Sequence, residues 1–277
     1  EKEPLSFSRW IGFIHEEDCR GFQERLNAHL SGEASIFEVP FRVGTGDGRW
    51  LWVLGRGQVV RRAPSGRALR VVGTQVDISE LKAAQDRLEA VNKSITATLA
   101  RIVEVRDVYT AGHQVRASRL AESIAREMRL PDDEIQIIRT AALLHDIGKI
   151  GIPDQMLLKP DKLTDEEFDK MKKHTNIGAK ILANSKSDVI RCAQEIAISH
   201  HERWDGRGYP QGLKGEAIPI TGRIVAIADT FDALSSRRPY KPAYPLELSI
   251  EIMKKEKGRQ FDPYLFDLFL DNIDTIL

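Results

Sequence analysis

Five short segments that carry histidine or aspartate recur along the chain at nearly even spacing. In chain order they are His113, His145-Asp146, His174, His200-His201 and Asp229. Successive segments lie 26 to 32 residues apart, about the length of one helical hairpin. Because each helix of a bundle can project a side chain inward, this spacing predicts an all-α bundle whose helices meet at one common site.

The local signals of residues 94–277 agree with a helical bundle, since no alternating strand pattern interrupts them. Pro131, followed by two aspartates, opens a predicted helix that runs to His145. Thr164 and Glu167 have the spacing of a capping box and predict the start of another helix. We therefore predict an all-α domain for this part of the chain.

The first part of the chain has the alternation of an antiparallel sheet. Apolar and polar residues alternate over residues 37–43, two further runs follow at 50–54 and 58–62, and a last run covers 69–78. Turn-forming residues separate these runs. The pattern predicts three or four antiparallel strands, and thus an α+β domain before the all-α domain.

Before this sheet, Trp10–Asp18 is predicted to be a loop that leads into a helix over Cys19–Leu30. His15 and His29 fall in this region. We interpret both as surface or loop residues rather than metal ligands, because neither has a second ligand at metal-binding spacing.

An apolar heptad replaces the strand pattern from Ser79 onward. Its a positions are Leu81, Leu88, Ile95 and Ile102, and its d positions are Ala84, Val91, Thr98 and Val105. A seam over four heptads favours a two-stranded coiled coil in a homodimer. A single amphipathic helix packed on its own domain is the alternative, since the seam includes the polar Thr98. We predict an α+β domain over 1–78, a connecting coiled-coil helix over 79–105 and a helical domain over 94–277.

Composition excludes several classes of protein. Lys and Arg together number 41, as do Asp and Glu, so the chain has no net charge and no sign of a nucleic-acid-binding face. Cys19 and Cys192 lie far apart and predict reduced thiols rather than a disulfide framework. No apolar run is long enough for a membrane span. We expect a cytoplasmic protein; the chain starts with Glu, so a membrane anchor could precede it in a longer protein.

The five segments predict a metal site with more than one ion. Six or seven nitrogen and oxygen ligands exceed what one zinc ion takes, and suit two ions that share a carboxylate. Two such ions could activate a water and bind the oxygens of a phosphate, so that the protein need not supply a nucleophile. Lys149, four residues after His145, could contact the attacked phosphate. One His-Asp pair would be weak support, but five segments in order predict a metal-dependent phosphohydrolase.

Two polar loops accompany these segments, and each allows two interpretations. Residues 205–210, which read DGRGYP, could form only a turn, or a wall of the substrate cleft beside the histidine pair. Residues 237–241, which read RRPYK, could form a solvated basic loop or a site for the phosphates of the substrate.

The first part of the chain resembles the C-terminal half of a PAS sensory domain. The similarity rests on the sequence IHEED at 14–18, on GDGRWLWV at 46–53 and on VGTQVDISELK at 72–82. The resemblance implies that the ligand pocket is incomplete here, and we assign no cofactor to it.

The second part resembles the HD-GYP family, a branch of the HD phosphohydrolases. The motifs that carry the similarity are RDVYTAGH at 106–113, HDIGK at 145–149, HHERWDGRGYP at 200–210, ADTFDAL at 228–234 and RPYK at 238–241. The resemblance implies hydrolysis of the bacterial second messenger cyclic di-GMP to pGpG and on to GMP. It also implies two divalent ions, iron or manganese first, with cobalt, nickel or zinc as alternatives.

The resemblance also assigns roles to single residues. The general HD ligands are His113, His145, Asp146 and Asp229, with Asp146 as the bridge between the ions, and the ligands that add the second ion are His174, His200 and His201. Lys149 matches the catalytic lysine and, with Asp146, is expected to carry catalysis. The expected substrate contacts are Arg238 and Lys241 for the phosphates, and Asp205, Gly208, Tyr209 and Pro210 in the signature loop.

Two positions depart from the family pattern. Tyr109 stands where some members have a glutamate that binds a third ion, which favours two ions here. Thr175 follows His174 where a proline is common. The change should leave the imidazole of His174 available.

We therefore expect a cyclic di-GMP phosphodiesterase regulated by a PAS domain. A phosphodiesterase for another cyclic dinucleotide is an alternative, because nothing in the sequence fixes the bases. A second alternative is a binding module that signals through protein partners without turnover, although the complete ligand set disfavours it. The zero net charge disfavours nucleic-acid binding.

Overall fold

The computed structural model describes residues 7–107, 112–236 and 243–276, and for Phe7 and Ser8 it describes the backbone only. Within this range the chain forms two compact units. The first unit ends at Val91 and the second begins at Asn92.

A three-stranded antiparallel sheet with two helices forms the first unit, together with the start of a long third helix. Its elements are α1 (Phe7–Ile11), α2 (Glu16–Ser31), β1 (Phe37–Gly44), β2 (Trp50–Arg62) and β3 (Ala68–Asp77). The strand order is β1-β2-β3, with Phe41 opposite Val53 and Gly55 opposite Gln75. The predicted antiparallel sheet is thus confirmed, with three strands.

Two predicted boundaries in this unit are wrong. The runs over 50–54 and 58–62 belong to one strand, β2, because Gly55 and Gly57 continue the pairing with both neighbours. The stretch Trp10–Asp18 is not one loop, since α1 reaches into it and α2 already begins at Glu16. His15 caps α2: its Nδ1 accepts a hydrogen bond from the backbone N–H of Glu17 at 3.3 Å.

His29 is not a surface residue, contrary to the sequence-based interpretation. It is buried at the end of α2, where its Nδ1 donates to the carbonyl of Ala34 at 2.9 Å and its Nε2 accepts from the N–H of Val59 at 3.1 Å. Both ring nitrogens therefore have partners, so His29 ties α2 to β2 and offers no free lone pair to a metal.

The long helix α3 (Ser79–Arg106) contains the whole predicted heptad. Its a and d residues lie largely exposed, with Leu88 at 65% and Ile95 at 53%. A different stripe of the same helix, Thr96, Ala100 and Val103, is buried. Helix α3 thus packs on its own domain through one face and leaves the heptad seam on another.

Helices make up nearly all of the second unit, which confirms the predicted all-α domain. After α3 they are α4 (His113–Glu127), α5 (Asp132–Ala142), α6 (Asp154–Leu157), α7 (Asp165–Lys172), α8 (His174–Ile181), α9 (Asp188–Ser199), α10 (Ile220–Ser235), α11 (Leu246–Lys254), α12 (Pro263–Asp271) and α13 (Ile273–Ile276), with 3-10 helices at Ile147–Gly151 and Gly215–Ala217. The capping box of Thr164 and Glu167 is present at the start of α7. Apolar residues of α4, α5, α9, α10 and α12 form the core.

The helix that opens after Pro131 ends earlier than predicted, at Ala142 instead of His145. Its last turn tightens into hydrogen bonds of the 3-10 type, from the N–H of Leu144 to Ala141 and from that of His145 to Ala142, at 3.0 and 3.3 Å. This change of backbone direction places His145 and Asp146 between α5 and the 3-10 helix at Ile147–Gly151.

None of the helices in the described ranges combines the length and the apolar character that crossing a membrane requires.

Candidate metal centre

The structure brings all seven predicted ligands of the second unit into two adjoining clusters. We call His113, His145 and Asp229 the first cluster, and Asp146, His174, His200 and His201 the second cluster. Within each cluster the candidate ligand atoms lie within 4.8 Å of one another. Residues that are up to 116 positions apart in sequence therefore meet at one centre.

Helix ends present most of these side chains. His113 is the first residue of α4, His174 is the first of α8, and His200 follows the last residue of α9. Before α4 the chain turns sharply through Gly112, whose φ of 72° favours glycine. Asp229 is the exception, since it lies inside α10.

Hydrogen bonds on one ring nitrogen fix how three of the histidines face the centre. The Nδ1 atoms of His145, His174 and His200 lie 2.8, 2.8 and 3.0 Å from the backbone carbonyls of Ala142, Met171 and Ile196. A carbonyl only accepts, so each Nδ1 must carry the hydrogen. The lone pair of each ring is therefore on Nε2, which is the form that binds a metal.

The Nε2 atoms of these three histidines are buried and have no hydrogen-bond partner in the part of the chain that the structure describes. A buried polar atom without a partner is costly, and so few occur in folded proteins. Three that converge on two carboxylates fit divalent metal ions with mixed nitrogen and oxygen ligands. His29 differs from these three, because both of its ring nitrogens are hydrogen-bonded, as in a histidine with a purely structural role.

Asp146 faces both clusters. Its Oδ2 lies 3.5 Å from Nε2 of His145, whereas its Oδ1 lies 3.4 Å from Nε2 of His174 and 3.8 Å from that of His200. Asp229 faces the first cluster, with Oδ1 at 3.0 Å from Nε2 of His113. The two oxygens of Asp146 thus face different clusters.

The charges at the centre favour an ionised Asp146 and a protonated Lys149. Burial opposes both charges, but the ammonium of Lys149 at 2.7 Å holds the pKa of Asp146 well below its usual range. Burial likewise opposes the charge of Lys149, while Asp146 and Asp107 together raise its pKa. Lys149 therefore stays a fixed positive charge beside the clusters.

The histidines differ in the direction of their pKa shifts. Burial lowers the pKa of His174 and His200, and burial followed by the charge of His174 lowers that of His201 to about 4. For His113, burial is outweighed by hydrogen bonds to Asp229 and Asp232, which raise its pKa to about 9. The second cluster therefore offers neutral imidazoles, as metal binding requires.

The signature loop lies against the second cluster. The ring of Tyr209 packs on that of His201, with centroids 4.8 Å apart. A Cβ at Gly208 would lie 2.3 Å from the backbone nitrogen of Arg203, so the loop closes tightly only with glycine there. Asp205 pairs with Arg203 at 3.2 Å and accepts from the N–H of Arg207 at 3.0 Å. Asp205 thus braces the loop, and its contact with substrate stays a prediction.

Three buried carboxylates were not singled out from the sequence. Asp107 accepts from Nζ of Lys149 at 3.0 Å, and Asp232 lies 2.6 Å from Nδ1 of His113. Glu202 accepts from the backbone N–H groups of Gln211 and Leu213, just after the signature loop, at 2.7 and 3.0 Å. All three lie inside the motifs that carry the family resemblance. Asp232 is also three residues after Asp229 on the same helix face, a signal that the sequence offers.

Asp232→Ala is expected to weaken metal binding at the first cluster about 10- to 100-fold, because the carboxylate holds the Nδ1 hydrogen of His113 and so keeps Nε2 directed at the ion. Metal retained per chain after dialysis measures the effect. The control is Ser236→Ala, which removes another bond to Asp232 and should retain as much metal as the unmodified protein. Equal retention by Asp232→Ala and the unmodified protein would contradict the prediction.

Three residues assigned from the sequence lie outside the described residues. They are Tyr109, Arg238 and Lys241. The inference of two ions from Tyr109, and the phosphate contacts expected of Arg238 and Lys241, therefore stay predictions.

Comparison with known families finds two matches that follow the division of the chain. The HD domain family matches residues 97–265, and the PAS fold matches residues 2–75. The first match covers more than half of the chain and contains both clusters.

Several curated relatives share the second part of the chain. A cyclic di-GMP phosphodiesterase response regulator of Xanthomonas campestris is 45% identical over 190 residues, which cover 69% of this chain and 50% of the relative. A cyclic di-GMP phosphodiesterase of Thermotoga maritima is 50% identical over 172 residues, covering 62% and 47%. A 3'3'-cGAMP-specific phosphodiesterase of Vibrio cholerae is 43% identical over 190 residues, covering 69% and 36%. The chain thus spans half or less of the length of these relatives.

Proposed function

This chain belongs to the HD domain family, in its HD-GYP branch, with a PAS fold before the HD domain, and on that premise we propose that it is a phosphodiesterase that hydrolyses cyclic di-GMP to pGpG, GMP or both. One observation carries the proposal most directly. Three buried Nε2 atoms, none of which has a hydrogen-bond partner among the described residues, converge on Asp146, which faces both clusters. Such a centre suits two divalent ions.

The donor set supports iron or manganese first, with cobalt, nickel or zinc as alternatives. Imidazole and carboxylate together suit all of these ions. His113, His145 and Asp229 would hold one ion, His174, His200 and His201 would hold the other, and Asp146 would bridge them. When bound, two such ions supply an activated water and bind the phosphate oxygens.

The protein side chains would then position and stabilise the substrate. Lys149 carries a fixed positive charge between Asp146 and Asp107, where it can stabilise the negative charge that grows on the phosphate. The phenol of Tyr209 stays neutral, because burial and then the charge of Asp146 raise its pKa. Its hydroxyl can therefore donate a hydrogen bond to the substrate. Arg238 and Lys241 are proposed as further phosphate contacts.

The base preference is the finer part of the proposal. Cyclic di-GMP is favoured because the Xanthomonas and Thermotoga relatives are named for its hydrolysis, but a Vibrio relative of similar identity is named for 3'3'-cGAMP.

The free thiols of Cys19 and Cys192 fit a reducing compartment, so we also propose a cytoplasmic location. We also propose three segments with the predicted bounds: a sensory domain over 1–78, a coiled-coil helix over 79–105 and the HD-GYP domain over 94–277.

Protein loaded anaerobically with iron or manganese is expected to convert cyclic di-GMP to pGpG or GMP, and removal of the metal with a chelator should stop the reaction. Product separation by chromatography measures it, with 3'3'-cGAMP and cyclic di-AMP as parallel substrates. Turnover of one of these in place of cyclic di-GMP would correct the base assignment. No product from any of the three with iron, manganese, cobalt, nickel or zinc would overturn the proposal.

We further propose that α3 forms a parallel coiled coil with α3 of a second copy, and that the PAS domain regulates the enzyme through it. The exposed a and d residues, among them Leu88 and Ile95, supply the apolar seam that such a dimer buries. Leu88→Glu should therefore convert a dimer to a monomer in sedimentation velocity and alter the specific activity. Ala90→Glu, which adds a charge at an exposed c position of the same heptad, away from the a and d seam, should do neither. A monomeric unmodified protein would rule out the coiled coil.

A further inference from the structure

Phe168 is an aromatic side chain beside the second cluster that has no part in the proposed reaction so far. It lies on α7, none of whose residues is buried, and 45% of its surface is exposed. Its ring meets that of Tyr209 edge to face, with centroids 6.3 Å apart and an angle of 81°. Since Tyr209 itself packs on His201, Phe168 is only one ring removed from the second cluster.

A cation accompanies this pair of rings. Nζ of Lys172 lies 4.8 Å from the centroid of Phe168 and 5.8 Å from that of Tyr209. The side chain is 34% exposed and also pairs with Asp169 at 2.8 Å. An ammonium close to two rings that stand nearly perpendicular to each other gives a mixed surface, apolar and with one positive charge.

Phe168 is a candidate for substrate contact because of its position next to Tyr209, and not because it is exposed. Single exposed apolar residues are common on protein surfaces and need no explanation. Phe168, however, continues a line of rings that starts at a metal ligand, through Tyr209. A nucleotide whose phosphate lies at the clusters must place its attached base close by, and every base has a flat face that stacks on aromatic side chains.

We propose that Phe168, Tyr209 and Lys172 form a platform on which one purine base of the substrate stacks while the scissile phosphate lies at the two clusters. The inference rests on the proposed function, because it takes the substrate to be a cyclic dinucleotide. Phe168 supplies the exposed ring face, Tyr209 packs edge to face against Phe168, and Lys172 supplies a charge for a nearby phosphate or carbonyl oxygen. Stacking tolerates different bases, so the platform would bind a purine without choosing between guanine and adenine.

Substitution of Phe168 separates stacking from a structural role. Loss of a stacked aromatic costs about 1–3 kcal/mol per base, so Phe168→Ala should raise KM for cyclic di-GMP roughly 5- to 150-fold. We expect kcat to change by less than about threefold, since the ring is not at the reacting atoms. Phe168→Trp should restore a low KM, whereas Phe168→Leu, which is apolar but has no ring face, should behave like the alanine variant.

Two further measurements make the result decisive. Tyr264→Ala removes another exposed aromatic of the same unit, on α12, and should leave KM at the value of the unmodified protein. The Kd of cyclic di-GMP on chelator-treated protein measures binding without turnover, and Phe168→Ala should weaken it by a similar factor. If the metal-loaded protein gave no product while the Kd still depended on Phe168, the platform would be supported and the proposed activity overturned. A Kd equal in both proteins, or a fall in kcat alone, would overturn the platform.

Discussion

Asp146→Asn is expected to reduce kcat for cyclic di-GMP at least about a thousandfold, well beyond the roughly 10- to 100-fold cost of losing an outer partner of a metal ligand. Asp146 is the carboxylate whose two oxygens face different clusters, with Oδ1 toward His174 and His200 and Oδ2 toward His145 and Lys149. Asparagine has the same shape but no charge, and its nitrogen cannot bind an ion. Both metal occupancy and catalysis should therefore fall together.

The substitution should leave the fold in place. Asp146 makes no side-chain capping bond to the 3-10 helix at Ile147–Gly151, the amide oxygen of Asn can still accept from the ammonium of Lys149, and Lys149 keeps Asp107 as a partner. Activity assays, metal analysis and thermal unfolding together measure the effect. Asp188→Asn, which removes an exposed carboxylate paired with Arg191, is the matched control and should change stability by at most about 0.5 kcal/mol. If Asp146→Asn kept a tenth of the activity, the bridging role would be wrong.

Gly148→Ala is expected to destabilise the second unit more than any other small substitution near the site. A Cβ at this position would lie 1.8 Å from the carbonyl oxygen of His174 and 2.4 Å from the nitrogen of Gly178. Both atoms are backbone atoms of α8 and cannot move independently of that helix. Overpacking costs about 1–3 kcal/mol and sometimes more, and the rigid neighbours place this site at the upper end.

The displacement caused by the added Cβ should also disturb the metal site, because α8 begins with His174 and Lys149 adjoins Gly148. We expect Tm of the second unit to fall by roughly 5 to 10 °C and metal bound at the second cluster to decrease. Gly151→Ala is the control: its Cβ would meet only the side chain of Ile177 at 3.0 Å, which can adjust. Calorimetry and metal analysis test both variants. A Gly148→Ala protein with unchanged Tm and full metal content would contradict the close approach of the two segments.

Local features were predictable where one short stretch of sequence decides them. The capping box of Thr164 and Glu167 was found where it was expected, because both partners of its hydrogen bonds lie within three residues. The end of α5 and the start of α2, in contrast, could not be predicted from the sequence. The early end of α5 depends on how the chain must turn so that His145 and Asp146 face helices far away in sequence. The early start of α2 depends on a cap by His15, a residue seldom expected there.

The environments of the histidines likewise could not be predicted from the sequence. Spacing alone set His29 apart from the ligands and placed it on the surface, whereas it is buried with both ring nitrogens hydrogen-bonded. For His145, His174 and His200, only the structure shows that backbone carbonyls occupy Nδ1 and leave Nε2 without a partner among the described residues. A sequence carries residue types and intervals, and the tautomer of a histidine depends on what folds against it.

The sequence by itself determined the division into a sheet domain and an all-α domain, because strand alternation and helical periodicity are local, and it determined which residues could be ligands. The tertiary structure alone decided how those residues are shared, since two clusters form only when five helical segments from different parts of the chain pack together. It also decided that Asp146 faces both clusters and that Asp232, Asp107 and Glu202 support the site. The physical reason is that distances between side chains on different helices are set by packing of the core, to which residues from the whole domain contribute.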